Sequence, residues 1–163
     1  EFTPGKLPSN DYAFKNLLFV HPSDYKNFLA QNGNREPVYA EVKNFVLRLA
    51  PLDTLTVGEF GASALQKDAM RISKIDTIKI TPKRIREDNP LGGLTCDLSL
   101  IFCSPEAPME QGLVKLETDQ IKDAIVAAFT QKFINYGEIF PLTLCEGKLV
   151  MKVKVTKIEA FNS

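Results

Sequence analysis

His21 is the single histidine of this 163-residue chain, so only one side chain has an ordinary pKa close enough to neutrality to serve as a general base. It stands directly before Pro22 at the end of an apolar run, where it reads as a structural residue rather than as part of a nucleophile triad. No G-x-x-x-x-G-K-[ST] segment is present to cradle a nucleotide phosphate, and Gly92-Gly93 after Pro90 lacks G-x-G-x-x-G spacing, so it reads as a turn. Asp53-Thr54-Leu55 and Asp76-Thr77-Ile78 have Leu55 and Ile78 where an aspartic-protease turn needs glycine. No carboxylates converge in a metal-ligand pattern, and Cys96, Cys103 and Cys145 lack C-x-x-C spacing. What remains is placed charge: Lys67, Arg71, Lys83, Arg84 and Arg86 put five cations within twenty residues, with few acids until Glu87-Asp88. One reading is a solvated charged face; the sharper one is a groove wall that receives carboxylates, which pair well with arginine forks.

Charge totals sharpen that point. Twenty basic and twenty acidic residues cancel, so no global field exists to hold nucleic acid or an anionic membrane, and electrostatic recognition must come from a local patch. At 44% hydrophobic, a chain of this length buries roughly 70% of its unfolded surface, enough for one domain or two small ones. Three unpaired-looking thiols and no N-x-S/T sequon fit a reduced, cytoplasmic setting. The start Glu1-Phe2-Thr3 has neither a signal-like h-region nor an initiator Met, and no run reaches about 18 apolar residues, so the expectation is a soluble fragment of a longer chain.

The elements that must position these cations follow from hydrophobic period. Residues 13 to 20, A-F-K-N-L-L-F-V, predict a first strand that His21-Pro22-Ser23-Asp24 ends as a turn. After a polar loop over 31 to 35, residues 38 to 42 and 45 to 49 predict a hairpin about Lys43-Asn44. Residues 57 to 62 predict a strand with Gly58 and Gly61 marking a bulge or a close backbone approach, followed by a one-turn element carrying Lys67 and Arg71. Residues 75 to 81 alternate Ile78 and Ile80 against Thr77, Lys79 and Thr81, a half-buried strand. Pro82 then breaks the pattern and marks the boundary between units at 1–82 and 83–163.

In the second unit, residues 94 to 102 alternate, with Leu94, Cys96, Leu98, Leu100 and Phe102 expected inward. A helix is expected with Thr118 as N-cap, Gly137 beyond it, and Ile121, Ile125, Ala128, Phe129 and Phe133 as its buried stripe. Residues 140 to 144 and 149 to 158 predict a closing hairpin around Glu146-Gly147-Lys148, with a bulge near Thr156 where the alternation shifts phase. The fold class is therefore mixed α/β (α+β): a β-rich unit followed by one main helix on a small sheet.

Two segments and the element order resemble the amino-terminal domain of the vesicle-fusing ATPase family, the N-ethylmaleimide-sensitive factor. The likeness runs over nearly the whole chain and rests on P-S-N-D-Y-A to H-P-S-D-Y (residues 8 to 25), on G-x-x-[AG]-x-[SA]-x-x-Q-[RK] met by Gly58 through Lys67, and on the helix and strands over 125 to 149. The resemblance implies a double-psi β-barrel subdomain and a smaller α/β subdomain that bind the adaptor SNAP, and through it SNARE complexes. It further implies a cytoplasmic, monomeric, non-catalytic fragment without its own cofactor, peripheral to membranes through SNAP and SNARE, and without nucleic acid as a partner. Its parent would be a homohexameric AAA ATPase using ATP and Mg to disassemble SNAREs. Lys67, after Gln66, matches a basic position of the family; lysine keeps the charge and loses the fork. Asp68-Ala69-Met70 and Cys103-Ser104-Pro105 depart from the family's basic residues, and Arg71, Lys83, Arg84 and Arg86 join the site on local charge alone. The substrate-adaptor domain of a ubiquitin-selective AAA segregase is the alternative of the same architecture.

Overall fold

Asn16 breaks the first expected strand. The computed structural model describes residues 1–84, 91–105, 109–110, 113–114 and 116–160, and in it residues 10–15 form a 3-10 turn that ends at Asn16 in the left-handed region (φ 54°). Asparagine tolerates that conformation where most residues do not. Only Leu18–Val20 remains a strand, β2, after a two-residue β1 at Thr3–Pro4.

The expected turn at His21 is instead a helix start. Helix α1, Pro22–Gln31, has proline at N1, where its missing N–H costs nothing, and His21 as N-cap, its Nδ1 accepting from Ser23 N at 3.0 Å. Tyr25 and Phe28 are its buried residues, with Leu29 packed against the same core. The Lys43-Asn44 hairpin forms as expected, joining β3 (Tyr39–Val42) to β4 (Phe45–Pro51) with both turn residues at positive φ, as a primed turn requires.

Strand β5 (Glu59–Gly61) is shorter than expected, and both glycines have identifiable roles. Gly58 adopts φ 87° and donates its N–H to Asp24 of α1 at 2.8 Å; a Cβ on Gly61 would lie 2.7 Å from Leu7 Cδ2 and 3.3 Å from Phe19 Cβ. The following element is two turns rather than one: helix α2, Ala64–Met70, closed by a capping box in which Ser63 Oγ accepts from Gln66 N and Gln66 Oε1 accepts from Ser63 N. Ile78 and Ile80 are buried while Thr77, Lys79 and Thr81 are exposed, so the expected faces hold, yet the ladder forms later, as β6 at Thr81–Lys83, spanning Pro82.

These six strands make a mixed sheet in the order β1-β5-β2-β4-β3-β6, with β1 parallel to β5, β2 parallel to β4 and the other neighbours antiparallel. The sheet is open, with β1 and β6 at its edges, and the closed double-psi barrel is not present as a continuous ladder. Its core gathers Leu18, Val20, Val38, Ala40, Val42, Leu47, Leu49 and Phe60, with Tyr25 and Phe28 of α1 closing one side.

A second core forms around β7 (Leu91–Cys103), helix α3 (Thr118–Ala128), β10 (Ile139–Leu144) and β11 (Leu149–Ala160), whose strands lie in the order β10-β11-β7; a small pair, β8 (Met109–Glu110) and β9 (Leu113–Val114), sits apart from that sheet. The expected bulge is at Thr156, which pairs with no residue of β7 while its hydroxyl bonds Thr95 O at 3.0 Å. A bulge that sequence reading missed, at Ile101, corrects the inward face of β7. It shifts the phase so that Phe102 lies opposite Val150, on the outer side, and Cys103 takes the inner place opposite Leu149. Leu98 and Leu100, on the inner side, are still 41% and 53% exposed because β7 is an edge strand, and Phe102 on the outer side is 51% exposed. The helix is capped by Glu117, whose N–H bonds Gln120 Oε1, rather than by Thr118. It ends at Ala128, so Phe133 falls outside its stripe, while Ile125 and Phe129 remain buried in it. No helix among the described residues is long and apolar enough to cross a membrane.

Candidate functional site at the seam between the two cores

β3 and β4 bury Ala40, Val42, Leu47 and Leu49, so the alternate residues Tyr39, Glu41, Val46 and Arg48 face the other way. That outward face meets the segment after α3. Tyr39 donates its hydroxyl to Gln131 O at 2.7 Å and sets its ring edge-on to Phe133 with centroids 5.0 Å apart, which is where the fifth expected stripe residue goes. Val46 is held at both backbone groups by one side chain: Asn135 Oδ1 accepts from Val46 N at 2.7 Å and Asn135 Nδ2 donates to Val46 O at 3.0 Å. Glu138 Oε1 in turn accepts from Asn135 N and Nδ2, both at 2.9 Å. Glu138 is 2% exposed, and burial pushes its carboxyl up to about 7 against the opposing pull of those two bonds.

Lys83, Tyr39 and Arg48 stand in one row across β6, β3 and β4, since Tyr39 pairs with Lys83 on one side and Arg48 on the other. Directly opposite residues in antiparallel strands share a face, so both cations flank the tyrosine that reaches the second half. Arg48 approaches Gln131 Oε1 at 3.4 Å, and Lys132 bonds Ala128 O at 3.1 Å at the negative end of α3. Burial, and next the nearby Arg48 guanidinium, hold Lys132 below the usual lysine range. A lysine whose charge is disfavoured by a neighbouring cation marks a place where an added carboxylate is favoured. Glu36 bonds the Tyr25 phenol, and burial and next that carboxylate push the phenol up.

The residues singled out from sequence fall at two places. Lys67 is half-buried on α2 and Arg71 is exposed at its C-cap (φ 57°), where its carbonyl accepts from Lys43 Nζ at 3.2 Å, beside the β3–β4 turn. Lys83 and Arg84 are exposed at the β6 edge, and Arg84 Nη2 donates to Gln31 O at 3.1 Å, at the end of α1. From Lys43 to Tyr39 the strand runs about 13 Å, so the two pairs sit toward opposite ends of the same hairpin. Arg86, like Asp88 and Pro90, lies outside the described residues, whereas Gly92 and Gly93, expected as a turn, are strand residues of β7, with Gly93 opposite Glu159.

Arg48 and Lys132 were missed. Arg48 had a usable signal, a cation at an outward position of an otherwise apolar strand, F-V-L-R-L-A. Lys132 had none, because nothing local to it encodes that the end of α3 meets β4. Compared with known proteins, the chain matches no family model and has no significant match among curated proteins.

Proposed function

We propose that this chain is a non-catalytic, adaptor-binding domain of a SNARE-disassembling AAA ATPase, taking acidic side chains of SNAP against the basic seam between its two cores. The observation that carries this reading is the Lys83–Tyr39–Arg48 row, whose Arg48 lies close enough to Lys132 to depress it, cations beside a structured interface. Lys67, Arg71 and Arg84 add further cations on the first core, Arg86 joins them on sequence charge alone, and the Gly58-to-Lys67 pattern supports the family reading. A double-psi barrel for the first core is favoured by the antiparallel bridge between Phe2 and Ile78, which joins the chain flanking the two edge strands. ATP and Mg belong to the parent's motor modules in this reading. This piece supplies grip.

Exposed ion pairs contribute about 0.2–1 kcal/mol each, so several must act together, and binding should be weak and salt-sensitive. A pull-down with SNAP, alone and on assembled SNAREs across a salt series, tests the reading. Lys67→Glu with Arg84→Glu and Arg86→Glu, and separately Arg48→Glu with Lys83→Glu, should weaken capture while leaving the melting temperature nearly unchanged. Undiminished binding by both variants would sink it, and capture of a ubiquitin-linked adaptor in place of SNAP would favour the segregase alternative.

A further inference from the structure

We propose that Glu138 is a proton-operated latch between the two cores: protonated, it holds Asn135 against Val46, and as its proton leaves to water the carboxylate seeks solvent and the segment lifts from β4. This stands independently of the adaptor reading.

The geometry is specific. Asn135 uses its carbonyl oxygen on Val46 N and splits its amide hydrogens between Val46 O and Glu138 Oε1, so it spans β4 and the buried carboxyl at once. In the sheet order β4 lies between β2 and β3, and β2 pairs only with Leu49, Ala50 and Pro51, which leaves that side of Val46 for Asn135 to occupy. The segment is anchored on the other side, where Gly137 N donates to Val155 O at 3.1 Å and Val155 N to Glu138 O at 2.9 Å. A turn from Asn135 to Glu138, closed by Glu138 N to Asn135 O at 3.1 Å with Gly137 at φ 80°, holds the carboxyl under the amide.

Both Asn135 bonds fall on Oε1, so a proton on Oε2 leaves them intact. The neutral form therefore keeps the latch without a buried charge. Ionisation keeps the same two bonds and adds a desolvation cost that they only partly offset, the balance that raises this carboxyl to about 7. The charged and titratable groups on the surrounding elements are Tyr39 and Glu41 of β3, Arg48 of β4, Lys132 and Tyr136 of the segment, and Lys152, Lys154, Lys157 and Glu159 of β11, with Lys67 and Asp68 of α2 and Asp11, Tyr12 and Lys15 of the 3-10 turn packed against β10. None of them contributes to that shift, which burial and Asn135 alone determine.

The test is hydrogen exchange of the Val46 amide, corrected for intrinsic rates, from pH 5 to 8 in the wild-type chain and in Glu138→Gln. A latch whose open form titrates as an ordinary glutamate predicts that wild-type protection falls about tenfold per pH unit between about 5 and 7 and then levels off. Leu49, whose N–H bonds Val38 O inside the first core, should show no such fall. Glu138→Gln should be flat at both amides. A flat wild-type profile, or the same fall in the glutamine variant, overturns the latch. Carboxyl carbon NMR of the wild-type chain guards against a variant that fails to fold: Glu138 titrating below about pH 5 overturns it as well.

Discussion

The amide of Asn135 holds the N–H and the C=O of Val46 together, at 2.7 and 3.0 Å, across 89 residues of chain. One side chain thus acts as a strand partner for a β4 residue from the other core. Asn135→Ala strands both backbone groups and frees the Glu138 carboxyl, each unsatisfied group costing about 1–3 kcal/mol where water cannot replace the partner. The expected loss is about 2–3 kcal/mol, read from the urea midpoint, with Tyr39 and Phe133 leaving their edge-on packing.

Glu138 also gives the fold a pH slope. Its folded value, about 7, lies above the ordinary 4.5, so the folded state binds the proton more tightly than the unfolded one. The stabilisation is complete below pH 4.5 and is lost as pH rises through 7, about 3 kcal/mol in all. The stability of wild type minus that of Glu138→Gln, from urea titrations at pH 4.5, 6 and 8, should fall by about that amount; a constant difference would contradict the assignment.

Lys132 reports on the basic seam. Because Arg48 helps to depress it, Arg48→Gln should raise its pKa, and so should an acidic partner seated between the two. Nitrogen NMR of the ammonium group measures both, and no upward movement on Arg48→Gln would show that burial acts alone.

The capping box before α2 is a separate, local determinant. Ser63→Ala should cost about 1 kcal/mol. Gln66→Ala should cost more, since Gln66 also donates to Leu17 O at 3.1 Å and is buried. Equal losses in thermal unfolding would mean that the Leu17 bond carries nothing.

β7 allows a direct comparison of two neighbours across the sheet. Phe102→Ser, at an exposed position beyond the Ile101 bulge, should change stability by less than about 1 kcal/mol. Leu149→Ala, at a fully buried position opposite Cys103, should cost about 2–5 kcal/mol. Comparable losses would place Phe102 in the core after all.

Local sequence determined much of this protein. The Lys43-Asn44 hairpin, the alternation of Ile78 and Ile80, the α3 stripe at Ile125 and Phe129, and the bulge at Thr156 all follow from period and turn chemistry over a few residues. α1 was also encoded, in proline at N1 and in Tyr25, Phe28 and Leu29 at helical spacing, but a mostly polar decapeptide between two turn-like ends hid it. Tertiary structure decided the rest. The inward side of β7 and the outward place of Phe102 depended on a bulge that only its pairing with β11 reveals, and the exposure of Leu98 on its place in an edge strand. Arg48, Lys132, Asn135 and Glu138 became a site only because the end of α3 lies on the outer face of β4. No local pattern encodes that placement, since the energy that fixes it comes from groups about 90 residues apart.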